Sequence, residues 1–486
     1  MSLPRQQQTA KYREVDKKRW FVRYLILAAV ATVLALKIYW LLFVVDVFVG
    51  LYSVLTSVFL FSVLFLAYVK FRDPYLDARH IVLSENNRPL ITIVVPVKNE
   101  EDNIRNCVQS CINSTYQRKE IIIVNDGSTD KTAEILDELR RENSNLKIIH
   151  LSKSVGKKQA IEVATEVAKG EIYFFMDSDC DMASDAVENA VKIFLSDNKI
   201  GAITSHGRVK GTETSRNILL KMQGAYIDGS CRLLKGSETT YSSLTCCSGS
   251  LSAYRRAAVQ PIMHAWAHDR FVGIEFKFAT DRRMTAFVLG AKPPESNKKD
   301  KPSYNGNNNV IPILQTGQDD LDSMRSSSDP DVETQKKSPK CAWRVLYSPS
   351  VRVNVGVPER FSALIRQQIR WRKSFIRSIF STGGIYWKRP FPAPLIYYLM
   401  LSLKLMRPVV LIKALFFLPL SGDYITSFLL FLGVFYSSMI YGVDYRLRNP
   451  GSDLWLYRPV FTFLSTFVYT WLTFYAAITI KKTAWR

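Results

Sequence analysis

The chain has 486 residues, 47% of them apolar, with 65 Lys and Arg against 43 Asp and Glu for a formal charge of +22. That length allows one sizeable globular domain plus further segments. Seven cysteines with no paired C-x-x-C spacing do not resemble a cysteine zinc site, and the basic balance without a reader motif speaks against a nucleic-acid partner.

Taken in chain order, residues 20–45 and 47–69 form two apolar runs separated only by Asp46. Each exceeds the about 20 residues that cross a bilayer. The first is too long for a cleaved leader and runs straight into the second. Arg5, Lys11, Arg13, Lys17, Lys18, Arg19 and Arg23 precede it, and Lys70 and Arg72 follow the pair. Basic flanks stay inside, so the N-terminus and the water-soluble middle of the chain are expected in the cytosol. The remaining positive charge suits anionic membrane lipid.

From Leu90 the pattern alternates strand and helix. Leu90–Val97, Glu120–Asn125, Leu146–Leu151 and Glu171–Met176 read as buried strands, and helices are expected after Asn99, over Lys131–Arg141 and over Lys157–Lys169. Repeated β-α units predict an α/β domain with a mostly parallel sheet. Ligands bind beyond the carboxyl ends of such strands, where Asp126 and Asp177 fall. Cys107 and Cys111 lie one helical turn apart and Cys246 adjoins Cys247; buried free thiols are expected. Residues 292–340, rich in Lys, Ser, Asn, Asp and Pro, read as a disordered insertion. Order is expected to return at Trp343–Val355.

Asp177-Ser178-Asp179 places two carboxylates on a turn, which suits a hard divalent cation held against a diphosphate. A chance D-x-D is common, but one that ends a β-α strand is not. Asp126 suits the uracil or ribose of a nucleotide. Lys157 and Lys158 start a helix where a phosphate could sit, or else face solvent. Asp281 is either a helix cap or a general base taking an acceptor hydroxyl proton. Gln367-x-x-Arg370-Trp371 lies on a basic amphipathic segment, which suits a membrane surface. There Arg370 can also neutralise a pyrophosphate and Trp371 can stack on a sugar.

Together, in this order, these residues resemble the processive family 2 glycosyltransferases, which include cellulose, chitin and hyaluronan synthases. The likeness covers about residues 90–290 and 343–480. It implies a GT-A-like cytosolic domain flanked by transmembrane helices, with Asp126 and Lys158 binding UDP. It implies Mg2+ or Mn2+ on Asp179 and Asp177, Asp281 as catalytic base, and Gln367, Arg370 and Trp371 closing the donor and acceptor end. Cys247–Arg255, Trp266–Phe271 with Gly273 and Asp281-Arg282, and Ile480–Arg486 are most similar to hyaluronan synthases. That implies an inverting, processive enzyme joining UDP-GlcNAc and UDP-glucuronate into a growing polysaccharide and translocating it. Ala279-Thr280 replaces the Gly-Asp pair of the family, and Gly-Thr is missing between Trp485 and Arg486. The alternatives are a chitin-like or other β-glycan synthase, or an inactive channel or scaffold.

Four segments are expected: a transmembrane pair at 1–70, the transferase domain at 71–360, interfacial helices at 361–390, and a channel region at 391–486. Apolar stretches at about 391–420, 424–443 and 457–480 bring the span count to five or six, in a multi-pass protein of the cell membrane. Lys404, Arg407 and Lys413 interrupt the first of them. A charge at mid-membrane costs about 2.5–3.5 kcal/mol on insertion scales, so these residues line a channel or sit near the interface.

Overall fold

A computed structural model of the chain describes residues 5–43, 46–293 and 342–482. The insertion expected at 292–340 lies outside the described residues but for its first two, and so do the last four residues of the closing motif.

The centre of the molecule is an eight-stranded sheet. Its strands are β1 (Ile91–Val97), β2 (Lys119–Asn125), β3 (Leu146–His150), β4 (Ile172–Phe175), β5 (Asp181–Met182), β6 (Ile200–Val209), β7 (Ser252–Arg255) and β10 (Arg344–Val355). Their order is β3-β2-β1-β4-β7-β6-β10-β5. A separate ribbon pairs β8 (Arg270–Phe271) with β9 (Ile274–Glu275). β1 is buried at all seven positions, as a strand covered on both faces must be. It runs parallel to β2 on one side and β4 on the other, and β2 runs parallel to β3. Four neighbouring carboxyl ends, those of β3, β2, β1 and β4, therefore open on one edge, and Asp126 and Asp177 both leave from it. β7 runs antiparallel between β4 and β6. At four residues it carries too little periodicity to read from sequence.

One apolar core lies on each face of the sheet. The first packs the helices Ile104–Ile112 and Ala186–Ser196 against Ile91, Ile93, Val95 and Phe174. The second packs the helices Lys157–Val167 and Thr280–Gly290 against Val94, Tyr173 and Tyr254, and takes in Tyr386, Ile396 and Tyr397 from beyond residue 360. Cys107, Cys111, Cys180, Cys231 and Cys247 are free and buried, and Cys246 is free and half-buried.

Among the described residues four helices are long and apolar enough to cross a membrane: Trp20–Leu41, Val47–Ala78, Ala393–Leu420 and Tyr424–Arg448. Leu454–Val468 and Leu472–Ile478 form a bent pair at 49° that makes five if it counts as one span. The count read from sequence was five or six, and the described residues give four or five. Asp46 caps the second helix by accepting from Val49 N–H at 2.9 Å, and its other oxygen meets Lys413 Nζ at 2.5 Å. The two charges that break the apolar pattern thus cancel each other. Lys404 turns toward the amphipathic helix Phe361–Tyr386, its ammonium 4.3 Å from the Phe375 ring centroid.

A buried ionic network fastens the sheet to these helices. His206 of β6 lies 3.2 Å from Asp228, and Arg448 reaches Asp228 at 2.7 Å and Asp444 at 2.5 Å. Tyr68 donates to Asp444 at 3.0 Å. Arg448 bridges the two carboxylates, so R448M leaves buried Asp444 with no cation among the described residues and leaves Asp228 only Arg232 at 3.4 Å and His206. Losing one partner of such a pair costs about 3–5 kcal/mol. The purified R448M protein should therefore melt well below wild type in detergent. An unchanged melting temperature would place the anchoring elsewhere.

Candidate active site

β4 ends at Phe175, and the chain turns through Met176 and Asp177 to Asp179. Asp177 N–H donates to Gly249 C=O at 3.0 Å, which ties this turn to the loop before β7. From the other side, the helix Thr280–Gly290 brings in Asp281, whose carboxylate accepts from Gly249 N–H at 2.9 Å. A Cβ on Gly249 would lie 2.9 Å from one Asp281 oxygen and 3.0 Å from an Asp177 oxygen. Two acidic groups from segments a hundred residues apart thus close on one bare Cα.

Lys157 makes that approach tenable. Its ammonium bonds the Asp177 carboxylate. Burial works against its charge, but Asp177, Asp281 and Asp179 outweigh it and hold its pKa above the ordinary lysine value. Among the described residues Asp179 has no ammonium partner, only the Cys180 thiol at 3.1 Å. Burial first, and the neighbouring Asp177 charge second, push its carboxyl up to about 6. Lys210 braces the same turn, donating to Asp179 C=O at 2.8 Å and pairing with Asp181. Asp177 and Asp179 offer hard oxygen donors under mutual repulsion, a set that fits Mg2+ or Mn2+. They are the residues that would hold one.

Asp126 is buried, and both its oxygens are engaged. It accepts from Val155 N–H at 2.6 Å, Gly156 N–H at 3.0 Å and Ser154 Oγ–H at 2.8 Å. Its first role here is to shape the loop that delivers Lys157. Gly127, at φ 61°, lets that loop approach: a Cβ there would stand 2.9 Å from Ser154 N.

Lys158, read from sequence as a UDP ligand, does not join the acidic cluster. Its ammonium turns inward, donates to Phe276 C=O at 2.8 Å and lies 3.7 Å from Asp269. Successive residues on a helix point about 100° apart, so only one of the pair can face Asp177, and that is Lys157. Asp269 also receives Arg283 Nε at 3.1 Å and two bonds from Arg377, at 2.6 and 3.2 Å. One carboxylate therefore serves three cations. Burial lowers the Lys158 ammonium to about 8. Sequence reading missed Asp269, whose partners come from three separate segments.

Through Arg377 the helix Phe361–Tyr386 is clamped to this cluster, and it packs along Thr280–Gly290. Gln367, Arg370 and Trp371 sit on it at positions i, i+3 and i+4, hence on one face. Gln367 Oε1 is buried with no hydrogen-bond partner among the described residues, and the Trp371 ring is 40% exposed. Neither bonds the carboxylate cluster. Beside the cluster, a small cavity is lined by Lys157, Ser248, Gly249, Trp266, Thr280 and Asp281.

Residues 92–262 match the family described as glycosyl transferase family 2. The chain is 24% identical over 402 residues to the hyaluronan synthase of Streptococcus pyogenes, covering 81% of this chain and 82% of that one. It is 28% identical over 179 residues to the poly-beta-1,6-N-acetyl-D-glucosamine synthase of Staphylococcus aureus, which covers 37% of this chain and 42% of that one. Among solved structures it is similar to a mannosyltransferase from Pyrobaculum calidifontis in complex with GDP-Man and Mn2+. The TM-score there is 0.50 at 18% identity, over 90% of this chain and 99% of that one. The sheet and its flanking helices accordingly have a GT-A-like fold.

The contact at Gly249 is open to a direct test. In G249A the added methyl must displace the Asp281 and Asp177 carboxylates. A misplacement of about 1 Å at a catalytic group costs about 10²-fold. Sugar transfer by G249A should fall by at least that much while the protein stays folded, as judged by its melting temperature. Near-normal turnover would mean that the two carboxylates need not converge there.

Proposed function

Residues 92–262 being a family 2 glycosyltransferase domain, we propose that the chain polymerises UDP-GlcNAc and UDP-glucuronate into hyaluronan and passes the product across the membrane. The observation that carries the reading is the convergence of Asp177, Asp281 and Lys157 around Gly249, beside the raised carboxyl of Asp179. The likeness to the streptococcal hyaluronan synthase, over four-fifths of both chains, supports the choice of product. Helices of membrane-spanning length on both sides of the domain support a multi-pass protein of the cell membrane. The basic residues flanking the first pair support a cytosolic domain.

In this reading Asp281 takes the proton of the acceptor hydroxyl, whose oxygen attacks the anomeric carbon from the face opposite UDP. The bond to the diphosphate breaks and the configuration inverts. Such general-base help contributes about 10²–10⁴-fold. Gly249 N–H fixes one Asp281 oxygen and leaves the other for the acceptor. Lys157 meets the diphosphate side with its positive charge. Mg2+ or Mn2+ on Asp177 and Asp179 would neutralise charge on the leaving group. Asp126 holds the Ser154–Gly156 loop against the nucleotide, and Lys158 acts behind it through Asp269 and Phe276. The buried Gln367 Oε1, without a partner among the described residues, and the exposed Trp371 suit a sugar hydroxyl and a sugar face, with Arg370 between them.

A one-donor polymer is the rival, favoured by the likeness to the staphylococcal poly-N-acetylglucosamine synthase. Membranes supplied with each UDP-sugar singly, and then with both, separate the two. Hyaluronan synthesis requires both donors, and the product must yield to a hyaluronan-specific lyase. Long polymer from UDP-GlcNAc alone would overturn the choice of sugars.

The machinery has its own tests. D179A, or chelation of the wild type, should abolish UDP release while the protein remains in the membrane. Because a proton competes with the cation for Asp179, activation by Mn2+ should weaken as the pH falls through about 6. D281N should lower turnover by about 10²-fold or more with UDP binding retained. An equal loss of UDP binding would make Asp281 a structural cap.

A further inference from the structure

A second cluster of metal-binding side chains lies outside the carboxylate site. Glu162 stands on the helix Lys157–Val167, and His264 and His268 on and just after the short helix Met263–Ala267. The spacing His-x-x-x-His puts both rings on one side of that turn, their centroids 4.5 Å apart. One oxygen of Glu162 lies 2.8 Å from His264 Nδ1 and the other 3.1 Å from His268 Nε2. One donor atom from each of the three residues falls within 4.8 Å of the others. The carboxylate is 14% exposed, while His264 is 85% and His268 44% exposed, so the group opens to solvent.

We propose that Glu162, His264 and His268 form a site for a borderline transition ion, Zn2+ above all. The donor chemistry separates it from the first site. Two imidazoles and one carboxylate suit Zn2+, whereas the all-oxygen pair Asp177 and Asp179 suits Mg2+ or Mn2+. Ligands at about 2.0–2.2 Å from a tetrahedral zinc stand about 3.4 Å apart, so side-chain rotation alone closes this cluster onto an ion. Three protein ligands leave the fourth position to water.

The placement gives the ion a structural consequence. Glu162 is five residues from Lys157, which holds Asp177. Trp266, between the two histidines, donates its indole N–H to Thr280 C=O at 3.0 Å, next to Asp281, and Asp269 follows His268 directly. An ion shared by Glu162 and the histidines would tie together the two segments that set the positions of Lys157 and Asp281. It is a brace and a point of control, and it takes no part in the transfer itself.

The test uses the full-length protein in detergent with Mg2+ in large excess, so that the carboxylate pair is filled. Zn2+ is titrated in and the bound metal measured after dialysis. One equivalent should remain on the wild type, and H264A, H268A and E162Q should each weaken Zn2+ at least tenfold. D179A should retain it. Zn2+ should raise the melting temperature of the wild type, as a ligand of the folded state does, but not that of H264A. Both histidines are exposed enough for their variants to fold, which metal-free melting curves will show. Equal Zn2+ affinity in wild type and the H264A/H268A double variant would overturn the site. So would loss of Zn2+ in D179A alone, or no binding by the wild type at micromolar Zn2+.

Discussion

The geometry of the site depends on one crowded point, the Cα of Gly249, where the Asp177 and Asp281 carboxylates meet with no side chain between them. Like charges that close repel even when half-buried, and the fold answers with an ammonium. Lys157 is set against Asp177 by a loop that Asp126 holds through three donors. The chain from Asp126 to the loop, to Lys157, to Asp177 is a single mechanical line. Each step in it starts from the carboxyl end of a parallel strand or the loop beside it.

Behind that acidic point lies its electrostatic opposite. Asp269 is outnumbered by Lys158, Arg283 and Arg377, which come from three different segments. A buried group of this kind is weak evidence of stability, but it is strong on position. It fixes the segment between Trp266 and Asp281 against both the sheet and the amphipathic helix Phe361–Tyr386. The amphipathic helix and the sheet are thereby held in one register. The His206, Asp228, Arg448 and Asp444 network does the same on the β6 side.

Much of this was legible in sequence, for identifiable reasons. β1, β2 and β4 are covered on both faces, so their apolar runs are continuous, and the residues that end them mark the ligand edge without further information. The D-x-D turn and Asp281 stand out because their residue types and flanks are local signals. The choice between Lys157 and Lys158 was not legible. It depends on the phase of a helix relative to Asp177, and a one-residue error rotates a side chain by about 100°. Asp269 and the Glu162–His264–His268 group were invisible for another reason: their partners lie from about ten to more than a hundred residues away. β7 escaped notice because four residues carry no measurable period. Asp46 and Lys413 each looked like a flaw in an apolar segment until the structure set them against each other.

The departure at Ala279 shows how sequence and strain meet. The resemblance leads to the expectation of glycine there, and in this chain the position is left-handed, with φ 61° and ψ 29°. An L-residue in that region costs about 1–2 kcal/mol, and such strain persists only where the surroundings over-determine it. Here they do. Ala279 is buried with Phe276 and Phe278, whose rings pack edge to face, and Phe271 and Ile480 complete the cluster. The next residue, Thr280, is held by the Trp266 indole, and the helix that starts there presents Asp281 to Gly249. A left-handed residue is needed because the chain must leave an apolar pocket and enter a helix within one position. Ile480 brings the end of the chain to the same pocket, and Lys373 donates to Lys482 C=O at 2.8 Å. Ile480 therefore meets the segment two to four positions before the helix Thr280–Gly290, and Lys482 meets the amphipathic helix. That makes the conformation at Ala279 a shared constraint of the carboxylate site, the amphipathic helix and the segment around Ile480–Lys482.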